Sequence, residues 1–155
     1  MIKGARTVKG RDDSLLLERQ VCFPLYAATN LLQRLYRPLL APLGLTYSQY
    51  LVMLVLWEEE PVPIGELCDC LHLDIGTLSP LLKRMEVAGF ITRRRDATDE
   101  RRVLIGLTSR GRSLRDQARH IPATLARQTG LRSQDYEQLR DQTQILVAQL
   151  AVACA

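Results

Sequence analysis

Three consecutive pieces decide the fold. The first is Ile64-Gly65-Glu66-Leu67-Cys68-Asp69-Cys70-Leu71. After a break comes Asp74-Ile75-Gly76-Thr77-Leu78-Ser79-Pro80-Leu81-Leu82-Lys83-Arg84-Met85-Glu86-Val87-Ala88-Gly89. The third runs Phe90-Ile91-Thr92-Arg93-Arg94-Arg95, a polar tip from Asp96 to Arg101, and Arg102-Val103-Leu104-Ile105-Gly106-Leu107. The first piece has the pattern of a short helix. In the second, Asp74 can accept the orphan N–H groups of a first helical turn, and Gly89 can end the helix in a left-handed conformation at no steric cost. Ile75, Leu78, Leu81, Leu82, Met85 and Ala88 repeat at helical spacing and mark the buried face. Gly76, Thr77, Ser79, Pro80, Lys83 and Arg84 occupy the other. Pro80 lacks an N–H and should bend the helix locally.

The third piece reads as a hairpin. Arg93, Arg94, Arg95, Arg101 and Arg102 crowd it, against Asp96, Asp99 and Glu100. A hairpin that only meets water has no need of five arginines. One that lies along a phosphate backbone, with an arginine at its tip in the narrow minor groove, does. Small polar residues near the start of the second helix and cations further along suit entry into a major groove. Helix, turn, helix and basic hairpin make a winged helix-turn-helix. The expected fold is therefore mainly α with a small β wing.

The same residues resemble the MarR family of transcription regulators. Asp99-Glu100-Arg101 in the wing, after Gly76-Thr77-Leu78-Ser79-Pro80-Leu81-Leu82-Lys83-Arg84-Met85-Glu86, carries the resemblance. It extends to Tyr36-Arg37-Pro38-Leu39-Leu40 and to the stretch from Leu43 to Trp57, which are similar to the organic hydroperoxide resistance regulators. It covers roughly Gln20 to Pro122. The resemblance implies a dimer that reads double-stranded operator DNA through Gly76, Thr77, Ser79, Pro80, Lys83, Arg84, Arg93, Arg94, Arg95, Asp99, Arg101 and Arg102.

Length and composition set the frame. A chain of 155 residues is expected to be one domain, 1–155, with a core that needs no staples. It is 25% charged and 46% hydrophobic, as globular proteins are, and a net charge of +4 permits a polyanionic partner. No apolar run reaches membrane-spanning length, and no apolar segment follows Lys3, Arg6, Lys9 and Arg11 to make a secretory signal. A cytoplasmic protein without a membrane partner is expected. Its four cysteines have no framework spacing and are expected to be free thiols.

Around the winged lobe, placed at 46–108, helical patterns are expected. One runs from about Asp13 to Ala41, with Pro24 as a point of kinking or restart, and Pro42 and Gly44 end it. Thr46-Tyr47-Ser48-Gln49 is a capping box that opens an almost wholly apolar helix to about Glu58. Thr108 can cap a helix that Pro122 kinks and Gly130 breaks, and Ser133 can cap a last helix to about Ala153. The helices over 13–41 and 109–153 carry more apolar surface than one small lobe needs. Their simplest use is a homodimer interface, which supplies two recognition helices for a two-fold operator.

Cys22 is the candidate redox-sensing residue. A lone cysteine on a helix is most often a small buried hydrophobe. Tyr36 and Tyr47 stand where the resemblance implies sensor tyrosines, and phenol O–H groups can donate to a thiolate. Such bonds favour the charged form, which is the nucleophile that attacks a peroxide O–O bond. Cys22 and Tyr36 are fourteen residues apart, about 21 Å along a straight helix. Their contact must then cross the two-fold axis of a dimer, whereas Tyr26 can pack near Cys22 within one subunit. Val21, Phe23 and Leu25 would suit an organic hydroperoxide.

The other cysteines are weaker candidates. Cys68 and Cys70 point to different faces of a helix, and His72 and His120 do not complete a zinc set, so no metal and no cofactor are expected. Cys154 is the possible resolving thiol; otherwise a low-molecular-weight thiol caps the oxidised Cys22. Between Ser109 and Gly130, where some relatives carry a resolving cysteine, there is none. Three functions compete. The first is a repressor that releases its operator on oxidation of Cys22. The second is a MarR-type repressor released by a small aromatic ligand, with Cys22 structural. The third is a thiol peroxidase, which the lack of a second Cys or His at motif spacing disfavours, so the chain is not read as an enzyme.

Overall fold

A computed structural model describes residues 13–154. It divides into two compact units, Met1–Arg34 and Leu35–Ala155. In the first, two 3-10 turns, Asp13–Leu15 and Leu17–Arg19, precede helix α1, Cys22–Leu40, which continues into the second unit. The helix therefore starts at Cys22 and not near Asp13. Pro24 is the third residue of α1, where its missing N–H would lack a helical partner anyway, so it sits in a helix start. Leu15, Leu17, Val21, Phe23, Leu25, Tyr26 and Leu31 are all exposed on this unit.

The second unit holds α2 (Tyr47–Glu58), β1 (Val62–Pro63), α3 (Ile64–Leu71), α4 (Ile75–Val87), β2 (Ile91–Arg95), β3 (Val103–Leu107), α5 (Ser109–Ala118), α6 (Ile121–Thr129) and α7 (Ser133–Ala153). The capping box at α2 is complete: Thr46 Oγ1 accepts from Gln49 N–H, and Gln49 Oε1 accepts from Thr46 N–H. α2 is the spine of the core. Its Tyr50, Val52, Met53 and Leu56 pack with Leu67, Leu78, Leu82, Met85, Phe90, Ile91 and Ile105, all nearly fully buried. Each such side chain contributes about 1.5–3 kcal/mol by leaving water, which fixes the helix-turn-helix on the sheet.

The sheet has three strands in the order β1-β3-β2, all antiparallel. The third strand was not expected from the sequence. Pro63 can join because β1 is at the edge, where a missing N–H costs no ladder bond. The expected helix after Thr108 is two helices, with Arg119 and His120 between them and Pro122 in the first turn of α6. Thr108 caps α5 by accepting from Gly111 N–H at 3.0 Å. Ser133 is not the cap of α7: Arg132 holds the N-cap position and ion-pairs with Asp135 at 2.7 Å. α7 has no buried residue. No single helix among the described residues is long and apolar enough to cross a membrane.

Candidate functional site

The DNA-reading candidate is built from α4 and the β2–β3 wing. Asp74 caps α4 twice: its Oδ1 accepts Thr77 N–H at 2.8 Å, and its Oδ2 accepts Thr77 Oγ1–H at 2.7 Å. The hydroxyl and then the N–H of Thr77 hold the Asp74 carboxyl below its usual range. A Cβ on Gly76 would lie 3.0 Å from Asp74 Oδ1, so glycine keeps that cap open. At the other end Gly89 has φ +73°, and Phe90 N–H donates to Met85 O at 3.0 Å. Leu78, Leu81, Leu82 and Met85 are buried, which leaves Gly76, Thr77, Pro80, Lys83 and Arg84 exposed and Ser79 half-buried. Ile75 departs from the expected buried face. It is 53% exposed, because the first residue of the helix projects past the edge of the core.

The wing sorts its charges. In the tip, Asp96 Oδ1 accepts from Thr98 N–H and Oγ1–H, and Asp99 Oδ1 accepts from Arg101 N–H at 3.0 Å. Both aspartates shape the turn, and Asp99 spends one carboxylate oxygen on the backbone. Thr98's bonds hold the Asp96 carboxyl below its usual range. Arg102 Nη2 lies 3.3 Å from Glu66 Oε1 of α3, which ties the wing to the helix-turn-helix. Arg93 Nη1 is 3.9 Å from Glu86, and its buried Nε has no partner. Among the described residues, no ion pair is formed by Lys83, Arg84, Arg94, Arg95 or Arg101, and all five are exposed. Arg93 and Arg102 thus differ from the other wing arginines in having intramolecular partners.

The base of the wing is fastened from behind. Glu60 Oε2 accepts Leu107 N–H at 2.5 Å, and its carboxylate receives Arg112 Nε at 2.6 Å and Nη2 at 3.0 Å. Glu60 thus joins the end of β3 to α5. In the sequence Glu60 is one of three consecutive glutamates, Glu58 to Glu60, and nothing local distinguishes it.

The redox candidates fall in different units. Cys22, the first residue of α1, is exposed, and Tyr26 is 69% exposed. In the second unit Tyr36 and Tyr47 have ring centroids 5.0 Å apart. Tyr50 joins them at 5.6 Å from Tyr36, and Trp57 stands 6.1 Å from Tyr50, edge to face. Burial, and then the neighbouring phenols, push Tyr36 well above the usual tyrosine range. Burial also raises Tyr47 and Tyr50, with Tyr136 contributing to all three. These phenols keep their protons and remain O–H donors. Tyr50 and Tyr136 were missed as members of this cluster; Tyr47-x-x-Tyr50 spacing on a helix was the available signal.

Of the other thiols, Cys68 is half-buried, and desolvation, then Asp69 and Asp74, push its pKa up, so it stays a thiol. Cys70 is exposed on α3, and exposed Cys154 follows the last turn of α7. Among the described residues, no three His, Cys, Asp or Glu side chains converge as metal ligands.

Comparison with known proteins adds the following. Residues 34–118, more than half the chain, match the family described as transcriptional regulator SarA/Rot. The HTH-type transcriptional regulator TtmR of Methylorubrum extorquens is 47% identical over 139 residues, covering 90% of this chain and 71% of the relative. The organic hydroperoxide resistance transcriptional regulator of Bacillus subtilis is 44% identical over 133 residues, covering 86% and 90%. A structure of reduced AbfR bound to DNA, a Staphylococcus epidermidis protein, superposes with TM-score 0.71 at 32% identity, covering 87% and 94%.

Proposed function

The chain belongs to the SarA/Rot family of MarR-like winged-helix transcriptional regulators, DNA-binding proteins and not enzymes, and on that premise we propose that it is a dimeric repressor which senses organic hydroperoxides through Cys22. The observation that carries the sensor reading is the pair of half-buried tyrosines, Tyr36 and Tyr47, held protonated with their rings 5.0 Å apart. Two neutral phenols kept together in an apolar setting are suited to donate hydrogen bonds to a thiolate. In this reading they serve Cys22 of the other protomer.

The DNA-binding surface is α4 and the wing, with Lys83, Arg84, Arg94 and Arg95 on phosphates and Arg101 in the minor groove. Thr77, Ser79 and Pro80 face the bases, while Arg93, Asp99 and Arg102 support the wing. Support for a dimer comes from apolar surface that water would not otherwise leave exposed. α7 exposes Leu139, Ile145, Val147, Leu150 and Val152, and the N-terminal unit adds Leu15, Leu17, Phe23, Leu25 and Leu31.

The Cys22 thiolate attacks one oxygen of R–O–O–H. The O–O bond breaks, the S–O bond forms, and the departing alkoxide takes a proton and leaves as the alcohol. Cys22 becomes a sulfenic acid. A thiol then condenses with it, water leaves, and a disulfide forms. Cys68, which keeps its proton, is a poor attacking group, and Cys154 lies at a chain terminus. A low-molecular-weight thiol is therefore the expected capping partner.

Operator binding with and without cumene hydroperoxide tests the reading. The parent should release DNA, and Cys22→Ser should bind equally well and ignore the oxidant. Release by Cys22→Ser would sink the sensor assignment and leave Cys22 structural. Mass spectrometry after oxidation with added cysteine should find a mixed disulfide at Cys22. A Cys22–Cys154 peptide as the main product would show that Cys154 is the resolving thiol.

A further inference from the structure

The tyrosine cluster does not end at the tyrosines. Tyr50, 2% exposed, has its ring 6.1 Å from that of Trp57, which lies on the same face about two turns further along α2. Trp57, 9% exposed, spends its one polar atom on α5: Nε1–H donates to Gly111 O at 3.0 Å. Gly111 in turn is pressed against Phe90. A Cβ at position 111 would lie 2.1 Å from Phe90 O, so only glycine fits. Phe90 N–H closes the C-terminal end of α4 on Met85 O.

The first turn of α5 grips that same end of α4 by three more contacts. Arg110 stacks its guanidinium 4.6 Å above the Phe90 ring and donates from Nη1 to Ala88 O at 2.9 Å. Thr108 Oγ1 donates to Gly89 O at 2.7 Å. The path from Tyr36 to the DNA-reading helix is therefore unbroken: Tyr36, Tyr50, Trp57, Gly111, Phe90, α4.

We propose that Trp57 is the positioning residue that carries the state of the tyrosine cluster to α4, through its hydrogen bond to Gly111. The inference rests on reading Tyr36 and Tyr47 as sensor tyrosines. Its physical basis is packing. A close-packed interior does not deform continuously; a displaced ring moves its neighbours or stays where it is. When Tyr36 moves, the buried Tyr50 ring presses on Trp57; one side of Trp57 borders an open cleft of about 330 Å³, and it is the indole bond to Gly111 that holds the ring in place. Trp57 cannot move without breaking its indole bond or taking the Gly111 backbone with it. Because Gly111 abuts Phe90 O without a side chain between, a displacement there reaches the α4 terminus directly. A purely structural Trp57 would contribute the same burial without passing anything on.

A double-mutant cycle, run without oxidant, decides between the two roles. The probe is a DNA duplex selected by the parent protein from a random-sequence pool. Trp57→Phe keeps an aromatic ring and removes the N–H donor. It should melt several degrees below the parent, since it loses a buried bond and part of a buried ring, but stay folded and bind the duplex within about two-fold of it. Tyr36→Leu should weaken binding about ten-fold in the parent background, within the usual range of coupling between sites, and less than about two-fold in the Trp57→Phe background. Equal losses in both backgrounds, no loss in either, or a large loss from Trp57→Phe alone would each overturn the proposal.

A second measurement stands if Tyr36→Leu fails to fold. Trp57 is the only tryptophan of the chain, so its emission reports this position alone. Cumene hydroperoxide should shift that emission in the parent and not in Cys22→Ser. A parent that releases DNA with unchanged emission overturns the proposal. A parent that neither oxidises nor releases DNA overturns the sensor reading instead, and the cycle still judges Trp57.

Discussion

Replacing Arg94 by alanine, beside the same change at Arg102, tests the division of labour in the wing. Both are wing arginines, and a count of charges treats them alike. In the structure Arg102 lies 3.3 Å from Glu66, whereas Arg94 has no ion pair among the described residues. With Arg101 assigned to the minor groove, the phosphate contacts available to one protomer are Lys83, Arg84, Arg94 and Arg95, and a dimer doubles them to about eight. Each neutralised phosphate releases counterions, so the slope of log affinity against log salt should be about −7, and raising salt from about 50 to 200 mM should weaken binding about 10⁴-fold. Arg94→Ala removes one contact per protomer and should make the slope shallower by about 2. Parent and variant should then converge by about ten-fold over that salt range.

Arg102→Ala should change the slope by less than half as much, since its guanidinium already has a carboxylate partner. Its effect on affinity should come through loss of the tie to α3. The assay is fluorescence anisotropy of a labelled duplex at four potassium chloride concentrations. Equal slope changes in the two variants would refute the reasoning from ion pairs. A parent slope shallower than about −2 would refute the phosphate-contact surface itself.

Three further outcomes are expected. Tyr36→Phe and Tyr47→Phe should each slow alkylation of Cys22 near neutral pH, because each removes a donor to the thiolate; unchanged rates in both would end that role. Glu60→Ala leaves the Leu107 N–H without its acceptor, at about 1–3 kcal/mol, and loses a half-exposed pair with Arg112 worth at most about 1 kcal/mol. The melting midpoint at fixed protein concentration should drop by about 4–12 °C, and Glu60→Gln, which keeps an acceptor, should recover most of it; equal losses in both would contradict this account. Asp74 has its carboxyl held below the usual range by Thr77, so its stabilisation is present above the ordinary aspartate value of about pH 4 and lost as pH falls through the lower folded value. Melting followed from pH 5 down to 2 should show that loss in the parent and less of it in Asp74→Asn.

What could be read from the sequence was local. The Thr46–Gln49 box, the Asp74 and Thr108 caps and the left-handed Gly89 are set by residues within four positions of one another, and the structure holds each of them. What escaped depends on distant residues or on chain ends. β1 is two residues long and contains Pro63, and only pairing with β3 some forty residues later makes it a strand. The N-terminal helical pattern ran through Leu15 and Leu17, yet those residues are 3-10 turns and the helix starts at Cys22, with Pro24 in its first turn marking the restart. Ile75 kept the helical spacing of a core residue and lies outside the core, since periodicity does not say where a core ends.

The same distinction governs the site. Sequence grouped five wing arginines because they are close in the chain. Glu66 and Glu86, on other elements, divide them: Arg102 and Arg93 have carboxylate partners, and the other three have none among the described residues. It also explains why Trp57 looked inert. Tyr50 and Trp57 sit in an apolar run, where each ring is sufficiently accounted for by burial. Only the 3.0 Å bond from Trp57 Nε1 to Gly111, fifty-four residues away, gives the indole a second task. A phenylalanine would fill a core position with the same ring stacking and no polar atom to satisfy. Keeping an indole there requires a buried acceptor at a fixed place. That acceptor belongs to the one glycine of α5, which packs without a side chain against Phe90 at the end of α4.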